Sequence, residues 1–134
     1  MITGRSLAHT GSFTQNLEKT LKMHPEPAIE VNREDALALG LGDGDWVQVS
    51  NPLGARLRAR IRLADGLVRG VLRARHGWGQ SSPFLTRSRG VGYNINELTD
   101  DENFNAITGN AGFGDMMVAV ERDSAPPPHA APKR

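Results

Sequence analysis

Ala55-Arg56-Leu57-Arg58-Ala59-Arg60-Ile61-Arg62-Leu63 is the stretch of sequence that decides the fold. Apolar residues alternate with arginines along its whole length, and a period of two is typical of a β-strand with one buried and one solvated face. Four guanidinium groups on one face could grip a pyrophosphate, but a solvated or subunit-facing surface is the commoner arrangement. We therefore expect these arginines to share one side of one strand and to face away from any ligand site.

Shorter strand patterns lie on both sides of this stretch. Residues 46–50 alternate in the same way, residues 28–31 form an earlier short strand pattern, and residues 71–75 and 116–120 form later ones. Short strands separated by turn residues are typical of small β barrels. A doubly wound nucleotide-binding fold is disfavoured, because it needs long crossover helices.

A single short helix is predicted between the first two of these strands. Asn32 can cap its N-terminus, Glu34 and Asp35 place negative charge in its first turn, and Gly40 suits a left-handed C-terminal cap. We expect residues 33–39 to be helical.

Composition excludes several classes of function. The chain has 134 residues, of which 38% are hydrophobic and 23% charged, as expected for one soluble domain. A net charge of +1 lacks the basic footprint of a dedicated nucleic-acid binder. The absence of cysteine excludes thiol nucleophiles, thiolate metal sites and disulfides. No signal peptide or membrane-spanning run is apparent, so we expect neither nucleic acid nor membrane as a partner, and the compartment stays open.

The end of the chain differs in composition from the rest. Residues 124–134, SAPPPHAAPKR, are rich in Pro and Ala and have almost nothing to bury. We expect a folded domain at residues 1–123 and a disordered tail at residues 124–134.

Three segments have the composition of a ligand site. Residues 4–16 concentrate hydroxyl, amide, imidazole and guanidinium groups around two glycines, which suits an anionic or heteroaromatic ligand. In His76-Gly77-Trp78-Gly79, the glycines allow close approach of a flat ligand and the indole offers a stacking face. In residues 93–101, asparagine amides present the paired donor and acceptor that reading a nucleobase edge requires.

Each segment also has a purely structural interpretation. Residues 4–16 could be a polar N-terminal arm, and Trp78 could be a lid over the end of the barrel. The asparagines could serve only as turn and capping residues. His76 is disfavoured as a metal ligand, since metal sites need several convergent ligands.

Taken together and in order, these segments resemble one family. The chain is similar to the C-terminal, molybdopterin dinucleotide-binding domain of the dimethyl sulfoxide reductase family of molybdenum and tungsten oxidoreductases. The resemblance runs from Ile2 to Arg122, and its marks are Thr3-Gly4-Arg5, His9-Thr10, Thr14-Gln15-Asn16, His24-Pro25-Glu26-Pro27, Ile29-Glu30-Val31-Asn32, Asp43-Gly44-Asp45-Trp46-Val47, His76-Gly77-Trp78-Gly79, Asn96-Glu97-Leu98-Thr99 and Ile107-Thr108-Gly109.

The resemblance implies a mainly β fold, a double-psi β barrel like that of the aspartate decarboxylases, with one or two short helices. It also implies binding of a molybdopterin guanine dinucleotide cofactor that carries molybdenum or tungsten. The cofactor-binding residues expected on this basis and on the segment compositions are Thr3, Gly4, Arg5, Ser6, Leu7, His9, Thr10, His76, Trp78 and Asn96. No catalytic residue and no direct metal ligand is expected in this chain.

The function implied is that of a capping domain or small subunit, which holds the cofactor against the remaining domains or large subunit and is not catalytic alone. Two alternatives remain at this point. The first is a non-enzymatic double-psi barrel that acts as an adaptor, with the arginine face as its docking surface. The second is a self-sufficient small barrel enzyme, such as a decarboxylase of similar fold.

Overall fold

The structure, a computed structural model, describes residues 1–10, 12–112 and 114–125. Its elements in chain order are β1 (Ile2–Gly4), α1 (Glu18–Met23), β2 (Ile29–Asn32), α2 (Arg33–Ala38), β3 (Trp46–Ser50), β4 (Arg56–Ala64), β5 (Leu72–Arg75), a 3-10 helix (Ile95–Leu98) and β6 (Ala119–Arg122). The tail predicted at residues 124–134 lies, apart from its first two residues, outside the described residues.

The strands form one mixed sheet in the order β1-β5-β2-β4-β3-β6. β1 runs parallel to β5 and β2 runs parallel to β4, whereas the other neighbouring strands are antiparallel. The segment before β6 returns to β1, where Asp115 pairs with Ile2 and the Met116 N–H donates to the Met1 carbonyl oxygen at 2.9 Å. The sheet thus closes on itself as the predicted double-psi β barrel.

β4 has the two faces that its alternating sequence predicts. Leu57, Ala59 and Ile61 are buried in the core with the apolar residues of β2 and β3. On the other face, the guanidinium carbons of Arg58 and Arg60 each lie 5.2 Å from the centre of the Trp46 ring, a cation–π distance. The arginines therefore share the outer face of the barrel.

α2 begins and ends where its capping residues predict. The Asn32 side-chain oxygen accepts from the backbone N–H groups of Glu34 at 2.8 Å and Asp35 at 3.4 Å. Gly40 takes a φ of +66°, and the following N–H, of Leu41, donates to the Ala36 carbonyl at 2.8 Å. The predicted helix is confirmed, with Leu39 as its C-cap.

The strand predicted at residues 116–120 is displaced, and that prediction was wrong. The ladder with β3 starts only at Ala119 and continues to Arg122. The reason is that Met116 is already engaged by the edge at β1, while Met117 is 80% exposed. The apolar run is therefore divided between two edges of the barrel.

Replacing Asn32 with Ala should lower the free energy of unfolding by about 1–2 kcal/mol. The change removes the helix cap, and it also removes the donation from Asn32 Nδ2 to the Leu67 carbonyl at 2.7 Å. Urea denaturation followed by tryptophan fluorescence measures the loss. Asn110→Ala, at an exposed loop position, should change stability by less than about 0.5 kcal/mol; equal losses for the two variants would contradict the capping role.

Candidate functional site

The first two predicted segments meet at the carboxyl ends of two parallel strands. β1 ends at Gly4 and β5 ends at Arg75, and these residues are partners in the ladder. Just beyond them, the His76 N–H donates to the Gly4 carbonyl at 3.4 Å. Further along both segments, the rings of His9 and Trp78 lie edge to face with their centres 5.0 Å apart.

The third segment is joined to the second at Gly79. Gly79 has a φ of +72°, and a Cβ placed on it would lie 2.4 Å from the Asn94 backbone nitrogen and 2.5 Å from the Tyr93 carbonyl carbon. Only glycine permits this approach of two backbones. The three predicted segments therefore converge on one end of the barrel.

His9 and Trp78 are enclosed at this end. They are 4% and 3% exposed, and His9 Nε2 lies 3.2 Å from the His24 carbonyl oxygen. The expectation that Trp78 offers an open stacking face is not met, because His9 and the surrounding loops cover the indole. Contact of these two side chains with a cofactor stays a prediction.

The rim of this end, formed by His24 and the arginines near it, carries positive charge and the neutral imidazole of His24. Burial lowers the pKa of His24, and the nearby positive charge of Arg75, the His9 imidazole and the positive charge of Arg62 lower that pKa further. His24 is therefore uncharged at neutral pH, so the local positive charge comes from the arginines.

The remaining predicted residues differ in exposure. Arg5, Leu7, Thr10 and Asn96 are exposed, whereas Thr3, Gly4, Ser6 and His76 are partly buried. Ser6 Oγ is occupied locally, since it accepts from the Ala8 N–H at 3.1 Å. The exposed group is thus the part of the predicted set that a ligand outside the barrel can reach.

The sequence left open whether these asparagines recognise a ligand or only cap a turn, and Asn94 and Asn96 differ in this respect. The Asn94 side-chain oxygen accepts from the Asn96 N–H at 3.2 Å and caps the 3-10 helix. The Asn96 carbonyl accepts from the Thr99 hydroxyl at 2.7 Å. The exposed Asn96 amide has no hydrogen-bond partner among residues 1–10, 12–112 and 114–125, so both its donor and its acceptor can reach a ligand.

Beneath the rim lies a buried ionic network that the sequence did not reveal. The Glu30 side chain is 6% exposed and accepts from Arg73 Nε at 2.7 Å and from Arg75 Nη2 at 3.1 Å. The Arg75 backbone N–H donates to the Tyr93 hydroxyl oxygen at 3.0 Å. The network ties β2 and β5 to the loop that carries Asn94, and so fixes the backbone just before His76.

Tyr93 should titrate far above an ordinary tyrosine. Burial raises the pKa of Tyr93 from 10.0 to about 12. The hydrogen bond from the Arg75 N–H and the positive charge of Arg75 both lower this pKa, but by less than burial raises it. Because the folded pKa is the higher one, folding stability should be intact below pH 10 and should fall as the pH rises towards 12. It is the one tyrosine in the sequence, so absorbance at the phenolate band gives the folded pKa directly. An ordinary pKa for this group would contradict its burial.

Gln15 lies within the predicted segment of residues 4–16 but was left out of the expected cofactor-binding residues, and its surroundings are the most informative addition. It is 3% exposed, and neither Nε2 nor Oε1 of its amide has a hydrogen-bond partner in the described part of the chain. Its side chain borders a narrow gap, too small for a water molecule, that is also lined by Ser12, Gly77, Trp78, Gly79, Gln80 and Ser88. Buried amides are almost always paired, so this one indicates a missing partner.

No group of three or more metal-ligating side chains occurs in the ranges that the structure describes, and no helix there is long and apolar enough to cross a membrane. What this end of the barrel offers is amides, hydroxyls, backbone groups and arginines. Such groups bind and orient a polar or anionic ligand.

Comparison with known proteins assigns the family. The family model described as "Molydopterin dinucleotide binding domain" matches residues 1–117. One relative, a component of the NADH-quinone oxidoreductase of Rhizobium meliloti (strain 1021), is 37% identical over 71 residues, which are 51% of this chain and 8% of that protein. The alpha subunit of the F420-dependent formate dehydrogenase of Methanocaldococcus jannaschii is 32% identical over 74 residues, which are 54% of this chain and 11% of that protein.

Among solved structures, acetylene hydratase from Pelobacter acetylenicus is similar over 91% of this chain and 18% of that chain. The TM-score is 0.75 and the identity 20%, so this likeness concerns the fold. The chain spans about a tenth of the length of the curated relatives it matches. Since the family model covers nearly the whole barrel, the chain belongs to the family of molybdopterin dinucleotide-binding domains.

Proposed function

We propose that this chain binds a molybdopterin guanine dinucleotide cofactor as the capping domain or small subunit of a molybdenum or tungsten oxidoreductase, and that it does not turn over alone. The observation that carries the proposal is the convergence of the three family segments on one end of the barrel. The curated relatives are oxidoreductase and dehydrogenase subunits, and this chain corresponds to a small part of each.

The side chains at this end fit such a group. The cofactor has pterin and guanine rings with amide-like edges and a pyrophosphate, and it supplies redox chemistry at a metal held by its dithiolene sulfurs. The exposed amide of Asn96 matches a ring edge, and the exposed Arg5 matches a phosphate. Arg62 lies close enough to His24 to lower its pKa, so the expectation that every β4 arginine faces away from the ligand site does not hold for this residue. Arg75 is already paired with Glu30, so Arg62 is the nearby arginine that would favour an anionic ligand.

This chain's contribution would be to bind and orient. The Glu30 network holds the backbone before His76, and Gly79 holds the loop that carries Asn96. Both features place recognition groups on a rigid barrel, which limits the entropy lost on binding. The metal-proximal and catalytic groups would then come from the rest of the enzyme.

The proposal is tested in the complete enzyme through cofactor content. Asn96→Ala should reduce bound molybdenum or tungsten and released guanine nucleotide several-fold, because the variant loses a donor and an acceptor to the ligand. Arg56→Ala is the matched control, since Arg56 is exposed on the outer face of β4. Full cofactor content in Asn96→Ala, or equal loss in Arg56→Ala, would contradict the assignment of this surface.

A further inference from the structure

The sheet that forms the barrel is closed along a short seam. At this seam Asp115 pairs with Ile2, and the Met116 N–H donates to the Met1 carbonyl oxygen. β6 begins only at Ala119, and β3 is its one ladder partner in the described part of the chain. β6 therefore has an open edge, which is the side of the strand that faces away from β3.

The backbone hydrogen bonds of β6 show which groups this open edge presents. The Asp123 N–H donates to the Trp46 carbonyl at 2.9 Å, and Glu121 lies two residues before Asp123 in the same ladder. In an antiparallel ladder, residues that exchange such bonds alternate with residues whose N–H and C=O groups point the other way. Glu121 therefore bonds to β3 as well. The backbone groups of Val120 and Arg122 point to the open edge, where an added strand can pair with them.

An apolar groove of about 390 Å³ adjoins the open edge. Val118 and Val120 line it and also pack against the core, so the groove continues from the inner face of the β6 segment. Met1 and Leu72 line it as well, and they lie at the amino ends of the parallel strands β1 and β5. The groove is therefore at the opposite end of the barrel from His9 and Trp78. Met117, which is 80% exposed, adds apolar surface at its border.

The C-terminal residues of this chain do not suit the open edge. The Ala125 carbonyl accepts from Arg58 Nη2 at 3.0 Å, and Arg58 belongs to β4, on the far side of β3 from the open edge. The sequence then continues with three prolines at positions 126–128. Proline has no backbone N–H, so these residues cannot donate to a neighbouring strand. A strand that pairs with β6 must therefore come from another part of the assembly.

We infer that an extended segment from the rest of the oxidoreductase adds to β6 as a further strand and places apolar side chains in the groove. The inference rests on the proposed function, and it adds a docking surface at the end of the barrel away from the cofactor. In recognition by strand addition, main-chain hydrogen bonds supply affinity and pockets for alternate side chains supply specificity. β6 and the groove together provide both. The chain spans about a tenth of the length of its curated relatives, so most of the polypeptide in those proteins lies outside the matched region.

The charge on the other face of β6 narrows the sequence of the docking segment. Glu121 alternates with Val120 and so lies on the face away from the groove. It is exposed, and it has no ion-pair partner among the residues that the structure describes. Opposite charges on neighbouring strands stabilise their pairing. The docking segment should therefore alternate apolar residues, directed into the groove, with a Lys or Arg beside Glu121.

Amide hydrogen exchange, compared between the full chain alone and the complete enzyme, tests this docking. In the chain alone, the Val120 and Arg122 amides should exchange at least about tenfold faster than the Glu121 and Asp123 amides, because only the latter two donate to β3. In the complete enzyme, the Val120 and Arg122 amides should slow by at least about tenfold. NMR resolves these amides in the chain alone, and mass spectrometry with electron-transfer fragmentation resolves them in the enzyme.

Met117→Asp should displace the docking segment in the complete enzyme. Because Met117 is exposed, the aspartate adds a charge to the groove without opening the core, and a charge there disfavours burial of apolar side chains beside it. The Val120 and Arg122 amides should then exchange as fast as in the chain alone. Leu53→Asp is the matched control, because Leu53 is 68% exposed, lies in the turn after β3 and does not line the groove. This control should keep the protection.

Three results would overturn the inference. Slow exchange of Val120 and Arg122 in the monomeric chain would show that the edge is already covered. Slow exchange only at concentrations where light scattering finds a dimer would identify a second copy of the chain as the occupant. Fast exchange in the complete enzyme, with cofactor still lost in Asn96→Ala, would remove the docking strand and leave the proposed function standing. Protection of β6 together with full cofactor content in Asn96→Ala would support the docking strand and contradict the cofactor role.

Discussion

Gly79→Ala should cost about 4 kcal/mol of unfolding free energy, because the new methyl group meets backbone atoms rather than flexible side chains. Its Cβ would lie 2.4 Å from the Asn94 nitrogen and 2.5 Å from the Tyr93 carbonyl carbon, and the backbone φ of +72° is itself unfavourable for alanine. Relief requires the loops of residues 77–80 and 93–98 to separate, so the surface around Asn96 should be disturbed as well.

Gly90→Ala is the matched control for this prediction. Gly90 has a φ of +67°, and a Cβ placed on it would meet nothing within 4 Å. Gly90→Ala therefore has the unfavourable backbone φ without the steric clash, and it should lower the free energy of unfolding by about 1 kcal/mol. Chemical denaturation of both variants gives the comparison. Losses of equal size would show that the two loops do not need to be in contact.

Glu30→Ala should cost about 3 kcal/mol, since it removes the carboxylate that pairs with two arginines. The Glu30 side chain is 6% exposed and Arg75 is 21% exposed, so the charge of Arg75 is left poorly solvated. Arg73 is half exposed and can turn to water, which keeps the loss at the lower end of the range for buried pairs.

Glu121→Ala is the control variant for Glu30→Ala, because it also removes a glutamate from a β-strand. Glu121 is exposed on β6 and pairs across the ladder with Gln48, so its replacement should change stability by less than about 0.5 kcal/mol. Denaturation curves at low and high salt should both show the Glu30→Ala loss, because the carboxylate is shielded from solvent ions. A loss that vanishes at high salt would identify a surface pair instead.

Local signals in the sequence predicted the elements whose cause is local. Asn32 and Gly40 set the ends of α2 through hydrogen bonds within a few residues, so the helix was predictable. The alternation in β4 was equally clear, because one face of the strand is core and the other is solvent along most of its length.

Elements that depend on distant partners were not predictable in the same way. β1 has only three residues, and it is a strand because β5 lies beside it. α1 buries no residue and has no side-chain cap, so neither periodicity nor capping indicated it. The 3-10 helix depends on Asn94, whose sequence context is equally typical of a turn.

The candidate site shows the same division. Its segments could be chosen from composition and family resemblance, and the structure brings them together. Burial could not be foreseen: composition does not distinguish the enclosed His9 and Trp78 from the exposed Asn96. The unpaired amide of Gln15 is visible only once its surroundings are known, since an isolated glutamine in sequence gives no sign of lacking a partner.

Hydrogen exchange in the assembled enzyme, loaded with cofactor and cofactor-free, tests the central claim most directly. If this end of the barrel holds the cofactor, amides of residues 3–10, 76–80 and 94–99 should exchange more slowly in the loaded enzyme. Amides of β4, whose arginine face lies on the outside of the barrel, should exchange at the same rate in both forms. Protection confined to β4, with no change in the three segments, would contradict the account.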